Sequence, residues 1–164
     1  DMRAVQWAKL LLNLNNAVNA LSGRPLREEL SQRAYRRCLA LAQREALELL
    51  DTAGIRPAKL TPLPAHWIPG ALELSDVLFR ILFGRMLRID PLARSSMWED
   101  LEAGRATEVE WLNGEVVRLA TRLGRQAPVN ARLLALVHAA EQGGRRDWAG
   151  ADLLEEIQRR QSGR

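Results

Sequence analysis

At 164 residues the chain is long enough to bury a proper core without disulfides or metals. Its 47% hydrophobic and 27% charged residues exclude an intrinsically disordered chain. The single cysteine, Cys38, argues against a disulfide scaffold or a thiolate metal site and suits a reducing compartment, here the cytoplasm. The formal net charge is +4, and all but Lys9 and Lys59 of the 24 basic residues are arginine. These arginines are dispersed among acidic residues at helical spacing, as in EEIQRR. That pattern favours solvated helix faces with ion pairs over a nucleic-acid surface. No signal peptide is visible, and no apolar run approaches the roughly 20 residues that span a bilayer. VLFRILFGRML (77–87) is too short and too interrupted by arginine to do so. Neither nucleic acid nor a membrane is therefore an expected partner.

The chain opens almost directly on a helix, as though cut from something longer. Residues 3–21 are predicted to form the first helix, closed by Ser22 and Gly23, with Pro25 opening the next. In WAKLLLNLNNAVNAL (7–21) apolar residues wrap most of the surface, yet Lys9, Asn13 and Asn16 are threaded through it. A second helix over 26–53 repeats Leu39, Ala42, Ala46, Leu49 and Leu50 at three and four and stops at Gly54. Four prolines make 55–70 a loop or crossing connection. A third helix covers 71–88, and further helices start at 96, 107 and 128. The tail from Asp147 reads as a final amphipathic helix. No alternating segment and no repeat is present, so the fold class is all-α. Residues 1–142 are read as one helical domain and 143–164 as a helical tail extension.

No GxGxxG, no GxxxxGK[ST] and no Cys/His pairing at metal spacing occurs, so no metal is expected. His66 lies in the proline loop and His138 on an apolar helix, where both read as structural. Of the five tryptophans, most are expected to pack in the core. Three features remain. Lys9 and Asn13 stand four apart and share a face with Asn16, and an apolar-flanked lysine beside an amide is a plausible proton donor or carbonyl polariser. Its structural alternative is a lysine that snorkels to solvent. Ser96 with Glu99, and Thr107 with Glu110, each fit a capping box. Glu108 would then sit in a first helical turn, where the macrodipole favours a carboxylate.

Together these features carry a resemblance. K-x3-N in an apolar helix, followed by S-M-x2-D-x4-R-x-T-E-[VI]-[DE]-x2-N-G, resembles the C-terminal domain of the ketopantoate reductase (2-dehydropantoate 2-reductase) family. The matching residues are Lys9, Asn13, Ser96, Met97, Asp100, Arg105, Thr107, Glu108, Asn113 and Gly114, with Pro128 and Asn130 at the next helix start. The resemblance implies an all-helical domain similar to that of 6-phosphogluconate dehydrogenase, lacking the N-terminal Rossmann domain that holds most of NADP(H). It implies reduction of a 2-oxo acid, 2-dehydropantoate to pantoate, in pantothenate and coenzyme A synthesis. Lys9 would be the general acid. Glu108 would meet the substrate hydroxyl or the lysine, and Asn13 and Ser96 would hold substrate, Ser96 by its carboxylate. Asn16 is a further candidate substrate contact. The family commonly places a second asparagine eight residues after the lysine, where this chain has Ala17. A paralogue acting on a different 2-oxo or imino acid is the alternative, and a basic helical interaction module is another. A homodimer is possible, and the chain alone is expected to be inactive.

Overall fold

The computed structural model describes residues 1–159; residues 160–164, the end of the expected tail, lie outside the described residues. Ten α-helices, two short 3-10 turns (Ala65–Trp67 and Val109–Trp111) and no strand occur among the described residues: α1 (Met2–Asn13), α2 (Asn15–Ser22), α3 (Leu26–Leu30), α4 (Arg33–Thr52), α5 (Ile68–Leu72), α6 (Asp76–Phe83), α7 (Ser96–Glu102), α8 (Asn113–Arg122), α9 (Pro128–Glu141) and α10 (Gly150–Gln158). The protein is all-α.

The 20-residue α4 is the axis of the fold, about 30 Å long at 1.5 Å per residue. It packs against α2, α3, α5, α8, α9 and α10. Its repeat buries Cys38, Leu39, Ala42, Ala46, Leu49 and Leu50. Burial pushes the Cys38 thiol up to about 12, so it is a small hydrophobe rather than a nucleophile. Leu14, Val18, Leu21, Leu133, Leu153 and Ile157 meet these residues with no exposure.

The long helices expected from periodicity are broken where side chains take over backbone acceptors. Leu14 keeps helical dihedrals and its amide still bonds Leu10 O, so α1 and α2 form a nearly continuous rod. The second expected helix breaks at Gln32, which is extended; the Ser31 hydroxyl donates to Glu28 O at 2.7 Å, a bond that competes with helix continuation. The third breaks between α5 and α6 because of Arg36. That guanidinium is fully buried and donates to Leu30 O, Leu72 O and Leu74 O at 2.8–3.0 Å and to the Asp76 carboxylate at 2.9 Å. It also lies 4.1 Å from the Phe79 ring centroid. Three carbonyls at helix ends are thus satisfied by one side chain, and Ser75 starts α6 afresh by accepting from Leu78 N.

The last described segment joins the same core. Trp148 N donates to Leu21 O, and the Tyr35 hydroxyl donates to Trp148 O at 2.7 Å. Gly23, with φ +64°, lets the chain turn out of α2 where a Cβ would lie 2.7 Å from Arg146 O.

Glu29 is a second buried charge-bearing group. It accepts from Asn15 Nδ2 at 3.1 Å, while its Oε1 and Asn15 Oδ1 are buried without a partner. Burial pushes its carboxyl up to about 8, against the amides of Asn15 and Asn19. A protonated Glu29 carries a hydrogen-bond donor of its own, which the carboxylate lacks.

Two outcomes follow. Arg36→Leu strands three buried carbonyls and is expected to lower the unfolding free energy in urea by about 3–5 kcal/mol, far more than Arg37→Leu on the same helix. Equal losses would contradict the anchoring role. The folded state of Glu29 binds its proton more tightly than the unfolded chain, so its contribution is complete below about pH 4.5 and is lost as pH rises to about 8. Glu29→Gln is expected to flatten that part of the stability profile measured by urea unfolding at pH 5, 7 and 9.

Candidate active site

Both faces of the α1–α2 rod are polar somewhere, and they differ in kind. The inward asparagines are spent on structure. Asn19 donates to Arg24 O at 2.9 Å and accepts Ser95 N at 2.9 Å, which seats the start of α7 against α2. The outward polar residues are Lys9, Asn13 and Asn16, two exposed and one half-buried. Their side chains have no bonding partner among the described residues. Lys9 is therefore not a buried lysine: the apolar neighbours Leu10, Leu11 and Leu14 turn inward, and Lys9 stands exposed at the mouth of a cleft.

That cleft has a volume of about 940 Å³. Lys9, Asn13 and Leu10 of α1 form one wall, and Trp111, Leu112 and Glu115 form the other. Arg3 and Arg122 bring further positive charge to its rim. Burial pushes the Glu115 carboxyl up, but its bonds with Arg118 and Arg122 outweigh that and hold it below the usual range. Trp111 is 75% exposed and Trp67 68% exposed, so these two do not pack in the core as expected. Trp7 is buried, and Trp98 and Trp148 are half-buried under the guanidiniums of Arg94 and Arg145.

The remaining predicted site residues, Asn16, Ser96 and Glu108, do not line the cleft. Ser96 is the exposed first residue of α7, and the cap is Ser95, one residue before the expected position, whose hydroxyl accepts from Trp98 N at 3.1 Å. Ser95 Oγ also donates to Asn16 O at 3.4 Å, so α7 begins beside Asn16. Ser96 is thereby relieved of capping and its hydroxyl is uncommitted. Glu108 is exposed and uncommitted as well, and its carbonyl accepts from Trp111 N at 2.9 Å in the tight turn over Val109–Trp111. Thr107 does not form the expected capping box with Glu110. Its hydroxyl instead donates to Glu141 at 2.7 Å, and Glu110 faces His138 and Arg118.

Other residues of the long motif hold this corner together. Arg105 pairs with Asp100 at 2.9 Å, and Asn113 donates to Asn130 at 3.1 Å. A Cβ on Gly114 would lie 2.7 Å from the Glu110 carboxylate. Sequence reasoning missed Glu45, whose carboxylate accepts Val129 N and Asn130 N at 2.9 and 2.8 Å and caps α9. Burial pushes its carboxyl up, against the bonds from Asn130 and Val129. Nothing local marks it, since its partners lie more than 80 residues away. Trp111 carried a signal, an aromatic set among acidic residues in a turn. Among the described residues no cluster of His, Cys, Asp and Glu could hold a metal ion, and no helix is long and apolar enough to cross a membrane.

Comparison with known proteins gives this arrangement its context. The 2-dehydropantoate 2-reductase of Caulobacter vibrioides is 30% identical over 147 residues, covering 85% of this chain and 42% of that protein. The 2-dehydropantoate 2-reductase of Pyrobaculum aerophilum is 28% identical over 143 residues, covering 86% of this chain and 44% of that one. The chain thus spans less than half the length of these relatives. Among solved structures, a PanE/ApbA family ketopantoate reductase from Ralstonia eutropha superimposes with a TM-score of 0.62 at 26% identity, over 84% of this chain and 40% of that one. A D-mandelate dehydrogenase solved with NADH and anilino(oxo)acetate shares the fold, with a TM-score of 0.64 at 20% identity over 84% of this chain and 51% of that one. The family described as ketopantoate reductase PanE/ApbA C terminal matches residues 1–141, and the chain belongs to it.

Proposed function

We propose that this chain is the substrate-binding and catalytic helical half of an NADPH-dependent 2-oxo acid reductase, converting 2-dehydropantoate to pantoate. The observation that supports the reading best is the distribution of polar bonds. Asn15, Asn19, Ser95 and Asn130 are engaged, whereas the side chains of Lys9, Asn13, Asn16, Ser96 and Glu108 have no partner among the described residues; Lys9 and Asn13 line the cleft, and Asn16 and Glu108 lie three residues from the lining residues Asn13 and Trp111.

Each has a chemical part. The Lys9 ammonium sits where a substrate carbonyl oxygen can face it, stabilises the negative charge that develops there and donates a proton to the alkoxide. Asn13, one turn on, holds the substrate beside it. Ser96 and Asn16 take the carboxylate end, and Glu108 the hydroxyl end or the lysine. The nicotinamide supplies the hydride when bound. Arg3 and Lys9 are cations without carboxylate partners, which suits an anionic ligand, but the described residues form no glycine-rich cradle for a dinucleotide. A separate Rossmann domain is therefore the expected holder of NADP(H). Its closure over the cleft would give Lys9 the dry surroundings that it lacks here.

A second reading keeps the site and changes the substrate to a different 2-oxo acid. It is favoured by Ala17, which has no exposure and so offers the cleft no polar contact. An interaction module built on basic charge is supported less well, because many arginines are spent on carboxylates, Arg44 on Glu73 and Arg118 on Glu115 among them.

A homodimer through α6 is the partner arrangement we favour. Val77, Leu78, Ile81 and Leu82 are 48–71% exposed on one face of that helix, with Met86 beyond it. That is a larger apolar patch than isolated surface residues make.

The isolated chain is expected to show no NADPH oxidation with 2-dehydropantoate above background. Behind an NADPH-binding domain, Lys9→Ala is expected to cut kcat by about 10²–10⁴-fold; turnover unchanged in that variant would overturn the reading. Ile81→Glu is expected to convert a dimer to a monomer by light scattering with no loss of thermal stability, whereas a monomeric parent chain would contradict the pairing.

A further inference from the structure

Trp111 and Leu112, which face Lys9 across the cleft, end a short, irregular segment that runs from Thr107 and has only one tight turn of its own. It is held from outside by α9. Glu141 accepts both Thr107 N at 2.9 Å and the Thr107 hydroxyl at 2.7 Å, and Val109 N donates to that same hydroxyl oxygen at 3.3 Å. His138 stands between the two elements, its Nδ1 3.0 Å from Glu141 and its Nε2 2.8 Å from Glu110. Glu110 belongs to the turn that carries Trp111, and Glu108 lies two residues before it.

Both ring nitrogens of His138 face carboxylates. A neutral imidazole has one N–H and one lone pair, so it can satisfy only one of them and turns its lone pair on the other. Only the doubly protonated ring donates to both. The charged groups around the ring are Glu141 on its own helix, Glu110 on the turn, and Arg118 of α8, which donates to Glu110 O at 2.6 Å and faces its carboxylate at 3.3 Å. Their bonds to His138, those of Glu141 and Glu110 first, raise its tendency to hold the second proton.

We propose that His138, as an imidazolium bridging Glu110 and Glu141, is a positioning residue that clamps the 107–112 segment and so sets Glu108 and Trp111 against the Lys9 wall. Its importance for turnover rests on the reductase reading, but the clamp itself does not. Below the titration of His138 the segment is fixed. As pH rises through it, one carboxylate loses the His138 donor that ties α9 to the segment, and the segment loosens while α7, α8 and α9 stay folded. The group would impose an alkaline limit on the site's order without touching substrate.

Amide hydrogen exchange on the chain as it stands tests this, with no substrate or cofactor present. Exchange is followed at Thr107 and Val109 from pH 5.5 to 9, as protection relative to the unprotected rate, in the parent chain, in His138→Gln and in Glu110→Gln. Because Glu29 changes global stability over part of the same range, each variant is compared with the parent at the same pH, and α4 amides report global opening. The expected result is protection that falls about tenfold with rising pH in the parent. In His138→Gln it is low and flat, and in Glu110→Gln, which removes one carboxylate, its dependence on pH is weakened. Protection that is flat in the parent, or that falls equally in all three proteins, overturns the clamp. Failure of the reductase reading would register instead in Lys9→Ala turnover, which involves none of these groups.

Discussion

A buried amide is stabilised when both its donor and its acceptor find partners, and Asn19 achieves this across three segments of the chain. Its Nδ2 holds the turn after α2 through Arg24 O, and its Oδ1 receives Ser95 N at the start of α7. Leaving either group unpaired in a fully buried position costs on the order of 1–3 kcal/mol. The start of α7 therefore has one seat, beside Asn16 and along the rod that carries Lys9. Ser95 is consumed in making that seat, as cap and as donor to Asn16 O, and Ser96 is left over.

The same economy runs through the fold. Arg36 satisfies three helix-end carbonyls and one carboxylate, Glu45 caps α9, and Glu141 gathers the amide and hydroxyl of Thr107. These groups hold irregular connections where no regular hydrogen-bond ladder exists. Lys9 and Asn13, by contrast, stand unpaired in the cleft wall, so polar residues that build the molecule are distinct from these two, which a ligand can reach. Lys9 and Asn13 are also positions on which the family resemblance rests, although much of the long motif between Asp100 and Asn130 belongs to the first set.

The helical architecture was legible because period-3.6 patterning and Ser, Gly and Pro punctuation are local signals. Helices starting at 96 and 128 stand where those signals place them. The breaks at 31–32 and 73–75 were not legible. The second is made by Arg36, whose carbonyl partners lie 36 and 38 residues away, and nothing in ALELSD announces them. The Lys9 face was legible as a shared stripe of Lys9, Asn13 and Asn16 at helical spacing, but not how far it is exposed, because the leucines around it turn inward only once the rod packs. Cap position shifted by one residue in SSMWED because two adjacent serines are locally equivalent, and Asn19 decides between them. The roles of Glu29 and His138 depend on partners brought together by packing alone.

The central claim is that the uncommitted side chains around the Lys9 cleft form a 2-oxo acid site. It is tested most directly by titrating 2-dehydropantoate into the isotope-labelled chain and following side-chain and backbone resonances by NMR. The account requires saturable shifts confined to Lys9, Asn13, Asn16, Ser96 and the 108–112 segment. Shifts that never saturate, or that gather on the arginines around Trp98 on α7, would contradict it.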